Sequence, residues 1–137
     1  MNGLSAITQA NEVIIEGNAV LQSVDLSSLT SVNLSLQFKE NPALTSVDLS
    51  SLTEVGTNLN IQGNPLLTSI GLSSLTKVGN YVDIRYHDVL THVDTLSNLT
   101  TVGGDLILFD NEALTNLGGL SNLTRDTLAL ILAGGAG

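Results

Sequence analysis

The sequence predicts an all-β fold, a parallel β-helix wound from coils of 23 to 24 residues, on three observations. The segment NPALTSVDLSSLTEVG, beginning at Asn41, returns almost unchanged as NPLLTSIGLSSLTKVG at Asn64. Apolar residues recur in columns, one member per repeat, which is the mark of a solenoid. Within a repeat they are often two residues apart, the alternation of a strand and not the 3.6-residue period of a helix.

Each coil can be justified in order. The opening LSAIT at Leu4 matches the later LSSLT, so the chain enters partway through a turn. Val13 and Ile15 then form the first inward strand pair, followed in later coils by Leu36/Phe38, Leu59/Ile61, Val82/Ile84 and Leu106/Leu108. Every pair leads to a corner marked by Asn or its equivalent: Asn18, Asn41, Asn64, His87 and Asn111, spaced 23, 23, 23 and 24 residues apart. Five apolar columns follow, headed by Leu21, Val24, Leu26, Leu29 and Val32. The chain then turns at Gly56, Gly79 and Gly103 into the next strand pair. One additional residue enters after Asp94 and again after Gly118, where SVDLSSL becomes HVDTLSNL and NLGGLSNL.

A helical reading fails on composition as well as on period. Thr, Ser, Asn, Val and Gly crowd every coil, and in helices these residues lose rotamer or backbone freedom or compete for backbone hydrogen bonds. Extended coils stack with each strand ~4.8 Å from its copy, so the Leu, Ile and Val columns fill one interior. At the tight corners a buried Asn amide is expected to bond its own coil and its neighbours, satisfying backbone groups that the turn leaves unpaired.

Composition excludes several functions. The chain has 137 residues, enough for one continuous body, and its net charge of -9 comes from thirteen Asp and Glu against four Lys and Arg. Such a chain repels phosphate backbones and anionic headgroups, which argues against nucleic acid and peripheral membrane partners. There is no cysteine, so disulfides and thiolate metal sites are excluded. The N-terminal MNGLSAITQANEV has no basic segment leading into an apolar core, and LALILA near the C-terminus is far shorter than the ~20 residues of a membrane helix.

The pattern carried by NPLLTSI and GLSSLTKVGNYVDI resembles the receptor L-domain family, over residues 4 to 124. The resemblance implies a right-handed β-helix related to leucine-rich repeats. It also implies a non-catalytic recognition or scaffold module, at the cell surface or outside the cell, with a protein or glycan as partner. Family members often carry capping cysteines and this chain has none, so its ends lack the usual staples. Both ends fall inside a coil, and a solenoid needs terminal caps. The chain is therefore expected to be a segment of a longer secreted or anchored protein, with residues 1–124 as solenoid and 125–137 as an atypical last strand and glycine-rich tail.

That tail raises a second reading. LALILAGGAG looks like the opening strand and glycine loop of sugar-nucleotide transferases, but the Thr-Arg that continues their motif is missing here. Leu130 and Leu132 fall 24 residues after Leu106 and Leu108, which favours one more strand of the same repeat. A third reading is a structural spacer that binds nothing.

No catalytic, cofactor or metal site is expected. His87 and His92 lie in HDVLTHVD with Asp88 and Asp94, yet His87 falls in the Asn column and His92 in the column of Ser46 and Ser69. Their spacing of five also puts the rings on opposite faces of a strand. LSSL recurs as a corner, which argues against a nucleophilic serine, and no calcium-binding loop is present. Sequons at Asn33, Asn98 and Asn122 coincide with repeat corners. What remains is the outward face of the strand after the glycine turn, with columns Ile14, Gln37, Asn60, Asp83, Ile107 and Glu16, Lys39, Gln62, Arg85, Phe109. In the later coils Tyr81, Asp83, Arg85, Tyr86 and Phe109 are expected to gather, and exposed aromatic residues with Arg are the composition of binding hot spots.

Overall fold

The computed structural model describes residues 3–124 and 130–134, wound as an all-β solenoid. Three parallel ladders run along its axis. The longest has six strands of four residues: Val13–Glu16, Leu36–Lys39, Leu59–Gln62, Val82–Arg85, Leu106–Phe109 and Leu130–Ala133. A second joins five two-residue strands, Gln9–Ala10, Ser31–Val32, Glu54–Val55, Lys77–Val78 and Thr101–Val102. The third, Ser23–Asp25, Ser46–Asp48 and Ser69–Gly71, stops after three coils. It stops where the additional residue enters: the next two coils replace its strand with 3-10 turns at Asp94–Leu96 and Gly118–Leu120, joined by the single bridge His92↔Asn116. The residue count predicts the change of corner, and the surplus residue is absorbed by tightening an extended strand into a turn.

Register puts like on like. Leu36, Leu59, Val82 and Leu106 are successive partners, as are Phe38, Ile61, Ile84 and Leu108, and all of them are buried. The columns headed by Val24, Leu26, Leu29 and Val32 are also buried through the middle coils, while end members such as Leu21, Leu114 and Leu123 are only partly covered. Each buried Leu, Ile or Val side chain contributes about 1.5 to 3 kcal/mol through loss of apolar surface from water, so the columns are the main source of cohesion. Outside, hydroxyls repeat the theme. Thr30, Thr53, Thr76 and Thr100 each donate through Oγ1 to the carbonyl of the Thr one coil earlier, at 2.9 to 3.2 Å.

Two backbone columns fix the corners. At Gly56, Gly79 and Gly103 a Cβ would lie 1.8, 1.9 and 1.9 Å from the carbonyl oxygens of Asn33, Gly56 and Gly79, so each coil presses its backbone against the one before. Immediately before the Asn marker a second column takes positive φ: Gly17 at 72°, Glu40 at 54°, Gly63 at 66°, Tyr86 at 64°, Asp110 at 56° and Gly134 at 81°. Gly134 thus continues the corner geometry, and Leu130–Ala133 pairs in register with Leu106–Phe109. This part of the tail is solenoid strand. The rest of LALILAGGAG, before Leu130 and after Gly134, lies outside the described residues.

Candidate functional site

Two features at the corner after the long strand bear on function: an amide ladder and, beside it, an aromatic cluster. In the ladder the Oδ1 of Asn64 accepts from the backbone N–H of Asn41 at 3.1 Å and from its Nδ2 at 3.2 Å. The Oδ1 of Asn41 accepts the same pair from Asn18, at 3.1 and 3.0 Å. Going the other way, Nδ2 of Asn41, Asn64 and Asn111 donates to the carbonyls of Ile15, Phe38 and Ile84 in the preceding coil. Asn41, Asn64 and His87 have no exposed surface, so the expected structural column holds through the middle coils. Asn18 is exposed and Asn111 only partly covered, because they belong to the outer coils.

His87 takes the column differently. Its Nε2 lies 2.9 Å from the carbonyl oxygen of Ile61 and its Nδ1 3.1 Å from that of Asn64. Burial pushes its pKa below the usual histidine value, an effect partly offset by the two carbonyls and by Asp88. His92 sits apart and exposed, with Nδ1 3.5 Å from an Asp94 carboxylate oxygen. The two rings therefore share no site. Among the described residues no group of three or more His, Asp or Glu is arranged to hold a metal ion.

The cluster is built from Asp83, Arg85, Tyr86 and Phe109. Residues two apart on a strand share a face, so Asp83 and Arg85 meet: Arg85 Nε donates to Oδ1 at 2.6 Å and Nη2 to Oδ2 of the same carboxylate. Those hydrogen bonds hold the guanidinium pKa above its already high ordinary value. Arg85 and Phe109 are register partners, and Arg85 Cζ lies 5.7 Å from the Phe109 ring centre and 6.0 Å from that of Tyr86. The two rings meet edge to face, 5.8 Å apart at 84°. Such a ring pair contributes about 0.5 to 1.5 kcal/mol, and each exposed cation–π contact about 0.5 to 1 kcal/mol.

Three sequence expectations need correction here. Asp83 is buried, at 5 % exposure, because Arg85 folds over it; it anchors the cluster and offers no free carboxylate at the surface. Asn60, its partner one coil earlier, is likewise buried at 6 %, with an Oδ1 that has no hydrogen-bond partner, so its place in the outward column does not expose it. Tyr81 precedes the strand whose far end carries Arg85, roughly 13 Å away at ~3.3 Å per residue, and stays outside the cluster. The positive-φ column went unpredicted. Its only signal was Gly before Asn at Gly17 and Gly63, obscured by Glu40, Tyr86 and Asp110 at the equivalent positions.

Tyr86 is the least expected member of that column. A bulky side chain in the left-handed region is disfavoured by about 1 to 2 kcal/mol, and the residue is 42 % exposed. Tyr86→Gly should accordingly change the unfolding free energy by less than about 1 kcal/mol, because relief of backbone strain offsets the lost ring contact. Chemical denaturation would check it; a large loss would mean that the ring is a structural prop.

The fold and this corner define a β-solenoid that displays an aromatic–guanidinium ledge on one of its edges. In comparisons with protein-family models, curated proteins and solved structures, nothing matches this chain.

Proposed function

We propose that the chain is a non-catalytic recognition or scaffold module of a cell-surface or secreted protein, and that a protein or glycan partner docks on Arg85, Tyr86 and Phe109. The observation that carries this reading is Tyr86, a large exposed ring held at φ 64° where three other coils use glycine. Glu40 and Asp110 share this backbone conformation, but Tyr86 alone among the described corners places a bulky aromatic ring there, which points to a role other than stability. The surrounding geometry supports it: Asp83 neutralises and orients Arg85, which holds both rings in a fixed arrangement, so little side-chain entropy is lost on docking. The resemblance to receptor L-domains points the same way.

The test is a glycan and protein array probed with the chain, followed by titration of any partner found. Arg85→Ala and Phe109→Ala should each weaken binding by about 1 to 2 kcal/mol while the coil stays folded, and Gln37→Ala, three coils from Phe109, should leave it unchanged. Binding that persists through both substitutions would place the contact elsewhere. An array without partners would favour the spacer, in which the Asp83–Arg85 pair and its rings only brace the corner.

A further inference from the structure

We infer that the solenoid flexes at one joint, between the layer that runs from Leu59 to Val78 and the layer above it, from Val82 to Val102, and that it opens there on one side only. Two ladders cross the joint unbroken: Val82–Arg85 pairs with Leu59–Gln62, and Thr101–Val102 with Lys77–Val78. The third ends below it, at Ser69–Gly71, because Asp94–Leu96 is coiled into a 3-10 turn. Two zipped sides and one unzipped side make a hinge.

The layers below define the bonds that are missing. There Thr45 donates through N–H and Oγ1 to the Gln22 carbonyl, at 2.8 and 3.1 Å, and Thr68 does the same to the Thr45 carbonyl, at 3.2 Å each. The N–H groups of Leu26 and Leu49 reach the carbonyls of Asp48 and Gly71, both at 2.9 Å. At the joint, among the described residues, Thr91 makes neither bond to Thr68, and the Leu72 N–H turns aside to the Ile70 carbonyl at 2.9 Å. The N–H groups of Asn18 and Asn41 find the amide oxygen of the next coil, whereas that of Asn64 has no such acceptor, since position 87 is histidine. One layer higher the bonding resumes, with Thr115 N–H to the Thr91 carbonyl at 3.0 Å and the bridge His92↔Asn116.

Among the described residues no hydrogen bond joins residues 88–97 to the layer below. The open span is bounded by His87, whose Nε2 and Nδ1 lie 2.9 and 3.1 Å from the carbonyl oxygens of Ile61 and Asn64, and by Asn98, whose Nδ2 donates to the Ser73 carbonyl at 2.6 Å. Between them the joint is held by apolar packing: Leu67 and Leu90, Ile70 and Val93, Leu72 and Leu96 lie buried in shared columns. Such contact is non-directional, so it yields to small tilts that a hydrogen-bonded ladder resists. Thr68 and Thr91 are exposed, so water takes their unused groups and opening breaks no backbone bond on this side. Arg85, Tyr86 and Phe109 all ride above the joint, tied by the pairing of Val82–Arg85 with Leu106–Phe109, so flexure swings the ledge as one piece against the early coils.

The chain has no cysteine, so pairs of nitroxide labels can be placed at introduced ones. Gln22→Cys with Thr91→Cys spans the joint on the open side, and Ser31→Cys with Thr101→Cys spans it along the two-residue strands; each pair is separated by three coil steps, ~14 Å. Dipolar electron paramagnetic resonance should give a distance distribution about 1 to 2 Å broader for the open-side pair, the scale of shifts between packed elements. Removal of Thr95, which restores the spacing of SVDLSSL, should let residues 92–94 pair with Ser69–Gly71 and narrow that distribution to the width of the other pair. Equal widths in the full-length chain, or an open-side width unchanged by removal of Thr95, would overturn the inference. Should the shortened chain fail to fold, the comparison of the two pairs decides alone.

Discussion

Asn64→Ala should lower the unfolding free energy by about 2 to 4 kcal/mol, whereas Gln62→Ala, two residues earlier on the outer face, should change it by less than about 0.5 kcal/mol. The difference lies in what each amide holds. Asn64 is fully buried; its Oδ1 takes two N–H groups of Asn41, and its Nδ2 reaches the carbonyls of Phe38 and Gln62 at 3.1 Å. Truncation strands the Asn41 N–H and the Phe38 carbonyl where water cannot replace the lost partner, and an unsatisfied buried group costs about 1 to 3 kcal/mol. The Gln62 side chain makes no such link between coils. Guanidinium unfolding of both variants would separate the cases, and equal losses would reduce Asn64 to a turn former.

Gly79→Ala should be as damaging, at about 3 kcal/mol, although it adds a single methyl group. That methyl would sit 1.9 Å from the carbonyl oxygen of Gly56, and the contact is backbone, which no rotamer change relieves. Coils three and four would have to move apart locally, weakening bonds such as Gly79 N–H to the Val55 carbonyl at 2.9 Å and Asn80 N–H to that of Thr57 at 2.8 Å. Gly3, with open space around it, is the control: Gly3→Ala should be silent. A thermal melt of Gly79→Ala that matches the wild type would show that the stack yields more easily than its geometry implies.

The period, the inward columns and the amide corners were legible because each must repeat for parallel strands to stack; one misplaced leucine would be exposed, and one missing amide would leave a backbone group unpaired. The depth of the outer face was not legible. Alternation tells which side of a strand a residue takes, and it correctly set Asp83 and Asn60 opposite Val82 and Leu59. It does not tell that a guanidinium two residues on will cover Asp83. Tyr81 and Tyr86 looked like neighbours because both flank one strand, yet the strand separates them. The left-handed corner escaped notice because the backbone there is demanded by the turn, and Glu40, Tyr86 and Asp110 bear that conformation without announcing it in their chemistry.

The amide ladder also sets the unit in which this molecule can change length. From Asn18 to Asn64 each coil receives from its predecessor the same pattern of donors, acceptors and left-handed corner that it passes to its successor. Excising residues 41–63 would join Glu40 to Asn64, two sites whose flanking backbone already agrees, since Glu40 and Gly63 share the positive-φ corner. A cut that is not a whole number of coils would set leucine against hydroxyl along the columns. For such a chain, duplication and loss of whole turns are the mutations of least consequence, and the count of coils is the quantity most free to drift.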